Sequence, residues 1–568
     1  MNLKPIKRIN FVEYHAKLNT LGASPLVPKY GTPLLAAIMK EKGYDSRILL
    51  EGVSDLSFEN ITDCDLLCFP VYMPLMNKIK ECALRVRRER PDIPIILGGP
   101  MISMLPLAMI DDHIFSLGDY VVRCEGDDVL PELAECLNSG GDRKKVNGVS
   151  FKEGATIIHN PDRTPPEIPH TVPDPSLIEG FEKARRGMNR FKFVNLLQTS
   201  RGCAYKCNFC PTDKLFGGTY RNRDIDSVIR DIKERRRYRP MFFVVDNSFL
   251  SNRKRTAELL RRMVEEDLRS AFIVFERHEI ANDAELLALM REAGIVSIIV
   301  GIESLDDENL AYYNKKQTSS KVRKAVQKIL DSGIHVIGTF MLGGDADTKE
   351  KTGDIIAFVK KTGISPNLFI MHDCELDENK KHIMPFNRRF QTYYRKQDPD
   401  NTDYYDYMTG NFVTYFPKRM KPSTLQKSVI DVYRELYAHR RILKNIFSSN
   451  IFASIFGVAQ GYLFKRMNDN IGAVVDNYYM DYLKKIEDGL YDEHEVLIEE
   501  KLDSLAEIPI PRPLEEQTDT ASYNLLIALG TLPGFIRFTF AYLFRITSKI
   551  PGRPALTEVG AAVSGERV

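Results

Sequence analysis

Cys203, Cys207 and Cys210 stand in one short string, Thr199-Ser-Arg-Gly-Cys-Ala-Tyr-Lys-Cys-Asn-Phe-Cys-Pro211. Offsets of four and three, in a segment opened by Gly202 and closed by Pro211, let three thiolates converge on one face of an iron-sulfur cluster. A four-iron cubane takes four ligands, and soft thiolates are the usual ones. Three local ligands leave one iron free to bind a substrate, the arrangement of a catalytic cluster rather than an electron-transfer one. Zinc sites usually bring paired Cys-x2-Cys or Cys/His units. Here Cys207 and Cys210 make one such pair, Cys203 is left over, and the next cysteine downstream is Cys374.

The string resembles the signature of the radical S-adenosylmethionine (radical SAM) superfamily, Cys-x3-Cys-x2-Cys with an aromatic residue, here Phe209, before the last cysteine. The resemblance implies a 4Fe-4S cluster on Cys203, Cys207 and Cys210, with S-adenosylmethionine chelating the open iron near Phe209. In that family one electron cleaves S-adenosylmethionine to methionine and a 5'-deoxyadenosyl radical, which removes a hydrogen atom from the substrate. It also implies a one-electron reductant such as flavodoxin or ferredoxin.

A chain of 568 residues exceeds one ordinary domain of ~100 to 200 residues. Hydrophobic residues at 43% and charged residues at 27% are the composition of a folded protein. The net charge is only +2, and no run of Lys and Arg interleaves with aromatics, so nucleic-acid binding has no compositional support. The opening Met-Asn-Leu-Lys-Pro-Ile-Lys-Arg lacks the apolar core of a signal peptide, which points to the cytoplasm. Cys64, Cys68, Cys82, Cys124, Cys136 and Cys374 are scattered singly; they are not a disulfide framework, and most read as small buried hydrophobes.

The fold class that must position the cysteines reads as α/β. Residues 1–145 alternate apolar runs with helical segments: strands at Ile6 to Val12, Ser46 to Leu50, Leu66 to Pro70, Ile93 to Leu97 and Tyr120 to Arg123, helices at Thr32 to Lys42 and Pro74 to Arg90. Strict alternation implies parallel strands and a doubly wound, Rossmann-like sheet, which binds ligands beyond the carboxyl ends of its strands. Two glycine turns fall at such ends, Gly98-Gly99-Pro100 and Glu125-Gly126-Asp127. Alone, Gly-Gly-Pro is a tight turn. Placed ahead of a radical SAM loop, the region resembles the cobalamin-binding domain of a large branch of that superfamily. The resemblance implies cobalamin near Gly98, Gly99, Glu125 and Gly126, with Cys124 standing where that branch has glycine. Glu13-Tyr-His15 does not meet the Asp-x-His-x-x-Gly cobalt-ligand motif, and His15 reads as a surface or packing histidine.

Pro161, Pro165, Pro166, Pro169, Pro173 and Pro175 mark residues 146–190 as a semi-rigid linker. Over 191–371 strand-helix units recur, from Phe193 to Gln198 through Val336 to Leu342 and a last helix at Asp347 to Lys361. They suit a partial (β/α)6 TIM-like barrel with its site at the carboxyl ends of the strands. Gly301-Ile-Glu303-Ser304 resembles the segment that contacts the ribose of S-adenosylmethionine in the cobalamin branch. By the same resemblance Asp246 would meet the methionine amino group and Gly343 would lie near the adenine. Any of these acids could instead cap the helix that follows.

Residues 372–520 read as a mostly helical substrate-specificity region, rich in Tyr at Tyr393, Tyr394, Tyr404, Tyr405 and Tyr407. In 521–568, Leu525 to Phe544 is apolar but broken by Pro533, Gly534 and Arg537. That is unlike a spanning helix. With Arg545, Lys549 and Arg553 following, it reads either as an amphipathic segment on an anionic membrane face, the inner face of the cell membrane, or as a terminal helix packed on the protein itself.

Together these readings give a cobalamin-dependent radical SAM enzyme, a carbon methyltransferase acting on an unactivated carbon of a hydrophobic, lipid or terpenoid-like substrate. A cyclase-type enzyme that forms or rearranges carbon-carbon or carbon-oxygen bonds, as on tetrapyrroles, is the alternative. A non-enzymatic redox or cobalamin sensor comes last, because the open iron argues against it.

Overall fold

The computed structural model describes residues 4–16, 18, 29–105, 107, 110–186, 194–238, 240–268, 270–372, 388–390, 403–438, 442, 461, 465–466, 468–504 and 510–511. The chain divides into two compact units, residues 1–435 with 467–516, and residues 436–466 with 517–568. The second unit contributes only a few described residues, so the expected amphipathic tail lies outside them, as do Cys374, Tyr393 and Tyr394.

Strands β1 (Arg8–Glu13), β2 (Asp45–Leu50), β3 (Leu66–Pro70), β4 (Ile95–Gly98) and β5 (Tyr120–Val122) form a parallel sheet in the order β2-β1-β3-β4-β5. Nearly continuous apolar runs such as Leu-Leu-Cys-Phe-Pro in β3 and Ile-Ile-Leu-Gly in β4 suit strands covered on both faces. Helices Gly31–Glu41 and Met76–Glu89 make crossovers, and helix Gly126–Ser139 follows β5. Ile9, Met39, Leu66, Leu133 and Val149 meet in one apolar core.

The sheet runs past the boundary expected at 145. Strands β6 (Val149–Glu153) and β7 (Thr156–His159) form a hairpin that joins β5 antiparallel, Tyr120 facing Phe151. Two strands this short carry too little alternation to stand out beside the prolines that follow. The stretch from Pro161 to Asp174 has no regular element, as its prolines require. Its end is nevertheless ordered: Ile178 bridges to Ile48, and Ile178 and Phe181 are buried in the core of the first sheet.

The second sheet is parallel throughout: β8 (Asn195–Leu197), β11 (Met241–Val244), β12 (Ala271–Glu276), β13 (Ile295–Glu303), β14 (His335–Leu342) and β15 (Ser365–Ile370), neighbours following chain order. Sequential neighbours with a helix between successive strands from β11 to β15 are the open (β/α)6 arrangement. A small antiparallel pair, β9 (Ser200–Arg201) with β10 (Arg221–Asn222), interrupts it after β8.

Beyond β15 the described residues are mainly helical, with helices Pro422–Leu436 and Met480–Ile486. Tyr433 accepts from the Leu368 amide at 2.8 Å and donates to the Leu368 carbonyl at 3.0 Å, fixing this region on the edge strand β15. Tyr404, Tyr405 and Tyr407 are buried, and Tyr407 stacks on Tyr479 at 4.5 Å. The tyrosine-rich stretch therefore packs inward, with Asp403–Tyr407 lying against Met73–Leu75 and the helix Met76–Glu89. Among the described residues no helix is long and apolar enough to cross a membrane.

Candidate active site around three cysteines

The pairing of β9 with β10 closes a loop that carries all three cysteines. Gly202 opens it at φ +83°, where a Cβ would run into the Thr219 carbonyl oxygen; only glycine fits there. The Cys210 amide donates to the Cys207 carbonyl at 3.2 Å, the turn that sets their spacing of three. All three side chains are free thiols of intermediate burial. Burial pushes the Cys203 thiol up, and the charges of Cys210 and Cys207 push it further, so the three sulfurs share one field. Among the described residues no group of three His, Cys, Asp or Glu side chains is close enough to hold one metal ion together. A cubane makes no such demand, because each thiolate takes its own iron, and three soft donors fit it.

Asp246 lies just past β11 and is fully buried. Its carboxylate accepts from the Thr199 amide at 2.7 Å, the Thr199 hydroxyl at 2.6 Å and the Ser200 hydroxyl at 2.8 Å. Burial pushes this carboxyl up, against those hydrogen bonds. Both oxygens bond the root of the cysteine loop, so Asp246 braces that loop. Glu276, at the end of β12, is a second buried carboxylate. It accepts from the Leu250 amide at 2.7 Å and the Ser248 hydroxyl at 3.1 Å, and burial raises it.

Glu303 ends β13 beside a register shift at Gly301 and holds φ +62°, an uncommon angle for a residue with a side chain. Its Oε1 receives Lys315 Nζ at 2.6 Å, while Oε2 lies 3.4 Å from the Thr339 hydroxyl. Lys315 also sits 5.7 Å from the centre of the Phe209 ring, and Phe209 meets Tyr313 edge-on at 5.6 Å. The structure thus brings Phe209 and Glu303 together through Lys315. Ser304 does not join them: its hydroxyl accepts from the Asp306 amide at 3.0 Å. The Tyr313 hydroxyl is buried without a hydrogen-bond partner among the described residues.

Gly343, past the end of β14, is walled in by the helical region. Its carbonyl accepts from Tyr415 Oη at 2.7 Å, and a Cβ there would meet Tyr415 Oη and Leu425. Its amide and that of Gly344 donate to Asp347 Oδ2 at 2.8 and 3.0 Å.

At the carboxyl ends of the first sheet, Gly98 and Gly99 stand with Gly99 close against the Val71 backbone. Gly126 begins the helix Gly126–Ser139. The Glu125 carboxylate pairs with Arg201 and Arg221, and Asp127 beside it also pairs with Arg201. These pairs tie the first sheet to the cysteine loop, as does Lys214 Nζ to the Met104 carbonyl at 2.7 Å. Cys124, standing where glycine was expected, is exposed and holds φ +60°. His15 is partly buried, and its Nε2 has no hydrogen-bond partner among the described residues. Burial pulls its imidazole down to about 4, so the ring is neutral at pH 7.

Arg201, Arg277, Lys315 and Glu276 were not singled out by motif reading. Arg277 and Glu276 carry the one available signal, their place at the carboxyl end of a barrel strand. Lys315 gives none, because tertiary folding alone places it against Glu303.

Residues 197–359 match the family model described as the radical SAM superfamily. An uncharacterized methyltransferase of Pyrococcus horikoshii is 27% identical over 354 residues, 59% of this chain and 74% of the relative. The anaerobic magnesium-protoporphyrin IX monomethyl ester cyclase of Rubrivivax gelatinosus is 24% identical over 433 residues, 73% of this chain and 75% of the relative. Among solved structures, the radical S-adenosylmethionine methyltransferase TsrM of Kitasatospora setae, with tryptophan and a SAM analog bound, superposes with a TM-score of 0.53 at 18% identity, over 64% of this chain and 73% of that one.

Proposed function

We propose that the chain is an enzyme of the radical SAM superfamily, in the branch with a cobalamin-type domain ahead of the barrel, and that it is a cobalamin-dependent methyltransferase acting on an unactivated carbon of a hydrophobic substrate. The observation that carries this reading is the docking of the three-cysteine loop onto the carboxyl-end turns of the first sheet through Arg201, Glu125 and Asp127. It puts a cluster loop and a cobalamin-type edge side by side.

When bound, the cluster, S-adenosylmethionine and cobalamin together supply a carbon radical and a methyl group. Cys203, Cys207 and Cys210 would hold the cluster, leaving one iron open. Glu303 would accept hydroxyl hydrogen bonds from the ribose of S-adenosylmethionine, oriented by Lys315. Phe209, on the same side as Lys315 and Tyr313, would pack against it. Gly98, Gly99 and the neutral His15 ring, with its unpartnered Nε2, line the sheet edge that suits cobalamin. Such an enzyme needs a one-electron reductant, in the class of flavodoxin or ferredoxin.

The methyltransferase relative supports methyl transfer, and the cyclase relative, named for a porphyrin ester, supports a large apolar substrate. A cyclase reading keeps a place because that relative matches more of the chain. We assign the protein to the cytoplasm, with residues 521–568 as the segment that would meet the inner face of the membrane. The test is anaerobic turnover with dithionite, cobalamin and S-adenosylmethionine. Methyl transfer requires deoxyadenosine and S-adenosylhomocysteine in equal amounts and a product heavier by one methylene. Deoxyadenosine without S-adenosylhomocysteine would favour the cyclase, and no deoxyadenosine would exclude both.

A further inference from the structure

Arg277 follows the last residue of β12 and is pinned on three sides. Its Nε and Nη2 donate to Glu279 at 3.1 and 2.8 Å, and Nη2 also donates to the Lys315 carbonyl at 2.7 Å. The guanidinium lies over the Tyr205 ring, 4.2 Å from its centre. With the side chain only 11% exposed, this planar group has one orientation, and that orientation directs Nη1 at the sulfur of Cys207, 3.9 Å away.

We propose that Arg277 donates a hydrogen bond to the Cys207 thiolate and thereby raises the reduction potential of the cluster, a role that rests on reading the loop as the cluster site. Reduction adds one electron to a cluster that already carries three thiolates, and a donor aimed at a ligand sulfur stabilises the more negative form more than the oxidised one. Glu279 neutralises the net charge of Arg277, and Lys315 is likewise paired with Glu303. What remains specific to Arg277 is a directed N–H dipole, which the fixed fork of a guanidinium supplies and a lysine ammonium does not. Arg277 is in these terms a positioning residue for electron entry.

The experiment is a redox titration, followed by electron paramagnetic resonance, of full-length protein reconstituted anaerobically to four irons per chain. Wild type, Arg277→Gln and Arg277→Lys are compared. Both variants are expected to show a lower midpoint, with Arg277→Gln shifted about tenfold in the reduction equilibrium, ~59 mV for a one-electron couple. An unchanged midpoint in a fully loaded Arg277→Gln protein overturns the proposal. Should neither Arg277 variant load iron, electron-nuclear double resonance on the reduced cluster of wild-type protein carrying 15N-labelled arginine decides. A coupling from an arginine nitrogen is expected from the Cys207 contact, and its absence overturns the proposal. Wild-type protein that takes up no four-iron cluster overturns the cluster-site reading and this role with it, whereas a loaded wild type with an unresponsive midpoint overturns this role alone.

Discussion

Arg201 Nη2 lies 3.3 Å from Asp127 Oδ1, joining residues 74 positions apart in sequence. Both side chains are nearly inaccessible, at 6% and 7% exposure, and Arg201 sits two residues before Cys203. A charge removed from water is tolerable only beside its partner. The pair therefore fixes where the cysteine loop lies against the first sheet, and Glu125 shares the same guanidinium.

Arg201→Met should destabilise the protein by about 3–5 kcal/mol, since it strands the buried Asp127 carboxylate while Glu125 keeps Arg221. Asp127→Asn should cost less, because Glu125 still faces Arg201. Urea unfolding of the two variants checks the order; equal midpoints for Arg201→Met and wild type would remove the latch from the account.

Asp347 yields a pH signature. Burial, against the Gly343 and Gly344 amides, pushes its carboxyl up to about 6 from an ordinary 3.8. A carboxyl raised in the folded state adds stability below its unfolded value, and that stability is lost as pH climbs through the folded value. Relative to Asp347→Asn, wild type should therefore lose about 2 kcal/mol between pH 4 and pH 6 and level off by about pH 7. Urea midpoints of both proteins across pH 4–7 check it; parallel curves would contradict the assignment.

The two layers of strands were legible because parallel strands buried on both faces leave continuous apolar runs, as in β3 and β4, and because a helix follows each. The β6-β7 hairpin escaped because its strands span only five and four residues. The cysteine loop was legible from spacing alone, which a cluster dictates locally. Side-chain duties were not. Glu125 and Asp246 stand at strand ends where a ligand contact is reasonable, and only the folded chain shows their oxygens given to Arg201, Arg221, Thr199 and Ser200.

Cys124 holds φ +60°, a region that costs a side-chain-bearing residue of order 1 kcal/mol or more. Its side chain is exposed, so nothing is lost from the core on removing it. Cys124→Gly should be neutral to stabilising by about 1 kcal/mol, in contrast to a typical glycine substitution. Thermal unfolding decides; a fall in Tm of several degrees would show that the thiol makes a contact worth more than the strain.

Glu303 and Lys315 form a pair at 13% and 6% exposure, and the two ends should answer differently to mutation. Glu303→Gln keeps the shape and can still accept through its amide oxygen, but it loses the charge that strengthens a hydrogen bond to a ribose hydroxyl. A charge-assisted bond is worth about 1.5–3 kcal/mol, so the Kd for S-adenosylmethionine should rise roughly tenfold or more at unchanged iron content. Lys315→Met leaves the Glu303 carboxylate largely buried, with only the Thr339 hydroxyl bonded to it among the described residues. It should lower stability by a few kcal/mol and also loosen Phe209, over which the ammonium sits. Calorimetric titration of S-adenosylmethionine into the reconstituted proteins separates the two effects. Equal affinity in Glu303→Gln and wild type would place the ribose elsewhere and leave the pair a purely structural brace.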